Sequence, residues 1–346
     1  MKKINKYESD MNEKYGIRLN GNENYMVMDE ELRLEVQKKI EQNTFNRYPD
    51  TDSKALREAY SRVVEVLPEN IIAGNGSDEM IALVVAAVVK KKGKVLVVSP
   101  DFSMYDFYTA SHQGEIIKYE TEESGKFSIA HFIEKGIKIN PALIILSNPN
   151  NPTGHALTIK QVSKIVGSFP KSKVIIDEAY YEFYGQTMIP YINKYNNLIV
   201  TRTLSKAWGL AALRVGFLIA NTNLINELVN HKVPYNISEL SQEIATTVLK
   251  YPEKVLSAIE KIVYERERLY KSLKEIEELD PFKISFYPSK ANYIFARTSK
   301  KQLIKKCMEE REIIIRYFDD DSLRITVGEP WENDLVVNTI SKALGY

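Results

Sequence analysis

The chain has 346 residues, and its 47 Lys plus Arg against 46 Asp plus Glu leave a formal net charge of +1. Bulk charge therefore gives no attraction to nucleic acid or to an anionic membrane, and any anion site must be built locally. Hydrophobic residues at 44% and charged residues at 27% are ordinary for a globular protein, and the length suggests two domains, each able to bury a core.

In chain order, Met1 to Gly16 is rich in Lys, Glu and Asn and lacks an apolar core, so no signal peptide is expected. The longest wholly apolar stretch, 81–89, falls far short of the roughly 20 residues of a membrane helix. The single cysteine, Cys307, excludes an internal disulfide and fits a reducing compartment, so a cytoplasmic protein is expected. A helix is predicted over 78–92, opening after Gly76-Ser77 and stopped by Gly93. Short runs, apolar apart from a terminal Lys94, Lys173 or Thr201, follow at 94–98, 142–146, 173–176, 198–201 and 216–220. That is the pattern of strands buried on both faces of a mostly parallel sheet, and the helices between several of them predict an α/β layered fold. Beyond about Tyr235 the texture changes to an amphipathic helix over 238–279, broken near Tyr251-Pro252. The Glu267/Arg268 run in it looks like a solvated face. Strands at 283–287, 292–296, 313–317 and 323–327, with helices at 300–312 and 332–344, complete a smaller α+β domain. The expected division is an N-terminal arm over 1–44, a large domain over 45–235 and a small domain over 236–346. The four histidines show no metal-ligand spacing.

Four polar segments stand out: 74–79 (GNGSDE), 147–154 (SNPNNPTG), 177–180 (DEAY) and 203–214 (TLSKAWGLAALR). Each follows a predicted strand or opens a helix. Ligands of open α/β sheets bind outside the carboxyl ends of strands, so the four should converge on one sheet edge. Gly76, Ser77 and Asp78 open a helix, where free N–H groups suit an anion. A simple N-cap is the other role for Ser77, and the two are compatible. Asp177 directly follows an apolar run and is costly to bury unpaired. Lys206 follows a buried strand and Ser205, against the alternative of a solvated surface lysine. Arg214 sits in an apolar stretch, against a surface ion pair. Asn151 is a natural turn residue before Pro152, and Phe102 competes with a core role.

The ordered set Asn-Pro-Thr-Gly, Asp-x-x-Tyr, Ser-Lys and an Arg eight positions after that Lys resembles the fold-type-I pyridoxal 5′-phosphate (PLP) aminotransferases. Within them it is similar to the histidinol-phosphate aminotransferase group, from about Leu19 to the C-terminus. The resemblance implies a large PLP-binding domain with a mostly parallel sheet flanked by helices. It implies that Lys206 carries PLP as a Schiff base and then shuttles the proton between the substrate Cα and C4′. Asp177 would pair with the pyridine nitrogen and keep the ring an electron sink. Tyr180 and Asn151 would bond the ring's phenolic oxygen, and Phe102 would stack on the ring. Gly76, Ser77, Asp78, Thr203, Ser205 and Arg214 would hold the cofactor phosphate. Tyr48 would reach the phosphate of a neighbouring subunit, which implies a homodimer with shared sites. Arg324 would grip the substrate α-carboxylate and Arg316 a distal phosphate.

The chain departs from the pattern in the N-terminal loop, where Asn22-Glu23-Asn24-Tyr25-Met26 lacks the usual prolines. Members of the group close this loop on substrate, which makes Asn24 a substrate-binding candidate. The leading expectation is transfer of an amino group between glutamate/2-oxoglutarate and a small phosphorylated partner, imidazole acetol phosphate or a ketone such as dihydroxyacetone phosphate. A decarboxylase of O-phosphothreonine or O-phosphoserine would share the cofactor site. A PLP-binding regulatory module is the third reading, but such modules usually carry a DNA-binding segment. The matching region starts by about Leu19, and no helix-turn-helix or basic patch is found.

Overall fold

The structure is a computed structural model, and it describes residues 15–346. The expectation of no signal peptide in Met1 to Gly16 falls, up to residue 14, outside the described residues. In order the elements are β1 (Ile17–Leu19), α1 (Glu30–Glu41), α2 (Lys54–Val64), β2 (Ile71–Asn75), α3 (Gly76–Val88), β3 (Lys94–Ser99), α4 (Met104–Ser111) and β4 (Glu115–Glu120). Then come α5 (Ile129–Ile139), β5 (Leu143–Ser147), α6 (Ile159–Ser168), β6 (Lys173–Asp177), β7 (Leu198–Thr203), β8 (Val215–Ile219), α7 (Thr222–Leu228) and α8 (Glu239–Val248). The chain ends with α9 (Pro252–Leu279), β9 (Ile284–Tyr287), β10 (Tyr293–Thr298), α10 (Lys301–Glu309), β11 (Ile313–Tyr317), β12 (Ser322–Thr326) and α11 (Pro330–Leu344).

Seven strands form one sheet in the order β2-β8-β7-β6-β5-β3-β4. Only β8 runs against its neighbours β2 and β7; the other pairings are parallel. The apolar runs are continuous because both faces are covered. Leu96, Ile144, Ile176 and Val200 join one core, while Val95, Val97, Ile145, Ile175 and Ile199 join a second with Ile81, Val84 and Val85 of α3. Alternate residues of one strand point to opposite faces, so each core takes every second side chain. Each fully buried Val, Leu or Ile contributes about 1.5–3 kcal/mol. The smaller sheet runs β1-β11-β12-β10-β9, with β1 parallel to β11 and the rest antiparallel.

Helix bounds differ from the sequence reading in informative ways. The helix expected over 78–92 begins at Gly76 and ends at Val88, with Asn75 as its N-cap. Ser77 is therefore the second helical residue and not a cap. The Glu267/Arg268 run is not merely a solvated face. Arg268 bonds Glu265 within α9, and across to α11 it bonds Asp334 (2.5 Å) and the Pro330 carbonyl (3.0 Å).

Candidate active site

Because β8 alone is reversed, the carboxyl ends of β2, β3, β5, β6 and β7 share one edge with the start of β8. The sheet thus delivers Asn75-Gly76-Ser77-Asp78, Pro100-Asp101-Phe102, Ser147–Asn151, Asp177–Tyr180, Thr203–Lys206 and Arg214 to one place. The expected convergence is met.

At one end of this edge β8 runs directly beneath the start of α3. A Cβ on Gly216 would sit 2.2 Å from the Ser77 backbone nitrogen, and one on Gly76 (φ +78°) would meet the Arg214 guanidinium at 2.8 Å. Only glycine permits this approach. Asn75 makes no side-chain cap bond, so the first N–H groups of α3 are left for an external acceptor. Arg214 donates to Ser205 Oγ (3.2 Å) and to Asp78 Oδ2 (3.1 Å), which fixes its guanidinium beside that helix start. Thr203 Oγ accepts from the Ser205 N–H at 3.1 Å.

In the middle lies Asp177, whose carboxylate is buried and, among the described residues, receives neutral donors only. Thr201 donates to Oδ1 at 3.0 Å and Tyr105 to Oδ2 at 2.8 Å. Burial raises its pKa to about 6 despite those bonds. Among the described residues no cation pairs with this buried acid. Phe102 packs edge-on against the Tyr105 ring.

Lys206 donates to the Gly21 carbonyl at 2.8 Å, and burial together with the nearby Arg324 lowers its pKa to about 8. Tyr180 Oη accepts from Asn22 Nδ2 at 2.8 Å, and burial raises its pKa. Asn151 turns its Oδ1 to Arg324 (2.5 Å), which leaves the amide nitrogen as the end for another acceptor. Arg324 also donates to the Asn20 carbonyl. Arg316 lies beside Arg324 across the β11–β12 pairing. Asn24 donates to the Ala207 carbonyl (2.9 Å) and accepts from the Met26 N–H (2.8 Å), so its amide stitches the N-terminal loop to the segment after Lys206. Tyr48 stands apart: it is 84% exposed and stacks on Tyr235.

Three partners escaped the sequence reading. Tyr105 and Thr201 hold Asp177, and Asn22 holds Tyr180, all from distant parts of the chain. Asn22 belongs to the loop already singled out, and that was the available signal. Beneath the site, Glu178 pairs with the fully buried Arg202 at 2.7 Å. No cluster of metal-binding side chains occurs among the described residues, and no described helix is long and apolar enough to cross a membrane.

The model of the family "Aminotransferase class I and II" matches residues 15–340. A histidinol-phosphate aminotransferase of Clostridium kluyveri is 38% identical over 335 residues, covering 95% of this chain and 93% of that one. Among solved structures, a Sinorhizobium meliloti histidinol-phosphate aminotransferase in complex with pyridoxal-5′-phosphate superposes with a TM-score of 0.86 at 20% identity, covering 95% and 90% of the two chains. An L-threonine-O-3-phosphate decarboxylase of Porphyromonas gingivalis gives a TM-score of 0.80 at 21% identity, covering 95% and 100%. The chain belongs to the class I and II aminotransferases, among the relatives of histidinol-phosphate aminotransferase, and is an enzyme of that kind.

Proposed function

We propose that the enzyme binds PLP on this sheet edge as a homodimer and moves an amino group between glutamate/2-oxoglutarate and a small phosphorylated partner of the histidinol-phosphate type. The observation that carries the reading is the pairing of a buried Asp177 that lacks a cation with a Lys206 whose pKa is lowered to about 8, on adjacent strand ends. When bound, PLP supplies an aldehyde for the amine and a cationic ring that draws electrons from the substrate Cα.

The residues divide the work. Lys206 holds the cofactor and, when free, carries the proton at the substrate Cα. Its lowered pKa lets it act as base or acid near neutrality. Asp177 keeps the ring nitrogen protonated, and Thr201 and Tyr105 fix its two oxygens. Asn151 and Tyr180 face the ring oxygen, and Phe102 covers the ring. The start of α3 with Ser77, Thr203, Ser205 and Arg214 receives the phosphate. Arg324 takes the carboxylate common to glutamate and 2-oxoglutarate. Arg316 takes the far anion, a phosphate or glutamate's side-chain carboxylate. Asn24 contributes as a fastener of the loop beside the substrate space. Tyr48 serves the partner's site.

A screen of phosphorylated amines and amino acids with 2-oxoglutarate tests the proposal. The expected result is glutamate formation with histidinol phosphate or a close relative, abolished in Lys206→Ala and shifted to higher KM in Arg316→Ala. Carbon dioxide release without glutamate would replace transamination by decarboxylation.

A further inference from the structure

The site holds a second carboxyl for which the proposed chemistry has no use. Asp101 lies in the turn after β3. Its Oδ1 accepts from the Phe102 N–H at 2.8 Å and from the Ser147 hydroxyl. Its Oδ2 is sealed from solvent and meets no partner among the described residues, although part of the residue reaches the surface. The titratable groups that face it are Tyr105 from α4, Asp177 from β6 and Tyr293 from β10, and none brings positive charge. Arg324 donates to Asn151 and to the Asn20 carbonyl.

A carboxylate with one oxygen sealed and unpaired is costly to keep ionised. A neutral acid is the less costly state, because an unpaired buried hydroxyl costs far less than an unpaired buried charge. Its carbonyl oxygen, Oδ1, accepts both donors, and the proton rests on Oδ2. Burial raises the Asp101 pKa well above the ordinary carboxylate range, against the opposing bonds from Ser147 and Phe102.

The consequence runs through Ser147. With its proton committed to Asp101, the Ser147 oxygen is aimed at Asn150 Nδ2 and at the Asn151 N–H, each at 3.2 Å. Asn151 in turn meets Arg324 at 2.5 Å. We propose that Asp101 is held as a neutral carboxylic acid and is a positioning residue, which orients Ser147 and through it Asn151 and Arg324. The cofactor arm of this proposal rests on the function proposed above; the protonation arm does not.

Infrared spectroscopy of the cofactor-free protein at pH 7 reads protonation directly. A protonated-carboxyl band present in the wild type and missing in Asp101→Asn is expected; identical spectra would overturn the neutral acid. Because Asn is isosteric and neutral, Asp101→Asn should keep PLP affinity within roughly twofold and leave the pH titration of the bound cofactor's absorbance in place. A downward move of that titration would show that a negative charge had been removed, and the proposal would fall. Asp101→Ala and Ser147→Ala should both weaken PLP binding roughly tenfold and raise KM for glutamate, since each frees the same turn. Wild-type values in both alanine variants would refute the positioning role. Should Asp101→Ala not fold, Ser147→Ala and the infrared comparison still decide. A protein that takes up no PLP at all contradicts the proposed function and leaves the infrared result standing.

Discussion

Lys206 and Asp177 are displaced from their ordinary pKa values in opposite directions, and the signs lead to different measurements. A lysine at about 8 is roughly one-tenth neutral at pH 7, against roughly one part in 3,000 at the usual 10.5. Only the neutral amine attacks an aldehyde. The rate of covalent PLP capture should therefore climb about tenfold per pH unit below 8 and level off above it. Stopped-flow absorbance against pH checks this, and a rate still climbing at pH 10 would place Lys206 in an unperturbed environment. Asp177 is the reverse case. Its folded pKa, about 6, lies above the unfolded value near 3.8, so its contribution to cofactor-free stability is complete below 3.8 and is lost as pH rises through 6. A bound pyridinium would remove that loss. The sequence showed Asp177 and Lys206 because one closes a buried strand, the other comes shortly after one, and each falls in a dense motif. It could not show Tyr105 or Thr201, which are 72 and 24 positions from Asp177 and meet it only through sheet order.

Among the elements, the central strands of the large sheet, α3 and the run from α8 to α11 were legible, while the strands β1, β2 and β4 were not. β5, β6, β7 and β8 each carry an apolar run of three or more residues because helices cover both faces, and polar residues gather at the carboxyl ends of β6 and β7, where the site lies. β4 reads EIIKYE, an edge strand whose exposed positions carry charge, so it lacks the apolar run that marked its neighbours. β2 carries a glycine and an asparagine in five residues, because it ends where β8 and α3 close on each other. That closeness has a measurable price. Gly216→Ala would place its methyl 2.2 Å from the Ser77 nitrogen and 2.4 Å from the Gly76 carbonyl carbon, backbone atoms that cannot swing away. The start of α3 must shift, so the variant should lose on the order of 1–3 kcal/mol of stability and bind PLP more weakly. Gly185→Ala is the control. Gly185 has positive φ (+82°), unlike Gly216, and its methyl would meet nothing within 4 Å. It should lose stability through backbone strain alone and keep its affinity for PLP. Melting curves paired with PLP titrations distinguish the two. Equal affinities in both variants would separate the β8–α3 approach from cofactor binding.

For the whole molecule, the exposed aromatic and aliphatic side chains near Tyr48 matter most. Phe45 (72% exposed), Tyr48 (84%), Val233 (64%) and Tyr235 (50%) come from two segments brought together by the Tyr48–Tyr235 stack. Large apolar side chains gathered at the surface of a single chain mark an interaction face. Among the described residues Tyr48 makes no hydrogen bond to its own sheet edge and meets Tyr235 instead, which accords with the proposed role in a second subunit's site. In a two-fold dimer the same surface serves both partners, so each site would pair one subunit's Lys206 with the other's Tyr48. This arrangement can be tested by complementation. The Tyr48→Phe subunit retains Lys206, and the Lys206→Ala subunit retains Tyr48. In a hybrid dimer one site receives both native groups and the other receives neither. After subunit exchange at equal amounts, half of the dimers are hybrids, so roughly a quarter of all sites should be native. Turnover should rise above the mean of the two parent variants by that measure, and exchange should be verified independently with differently tagged subunits. If Tyr48 serves its own subunit, no hybrid contains a native site, and turnover stays at the mean of the parents however complete the exchange.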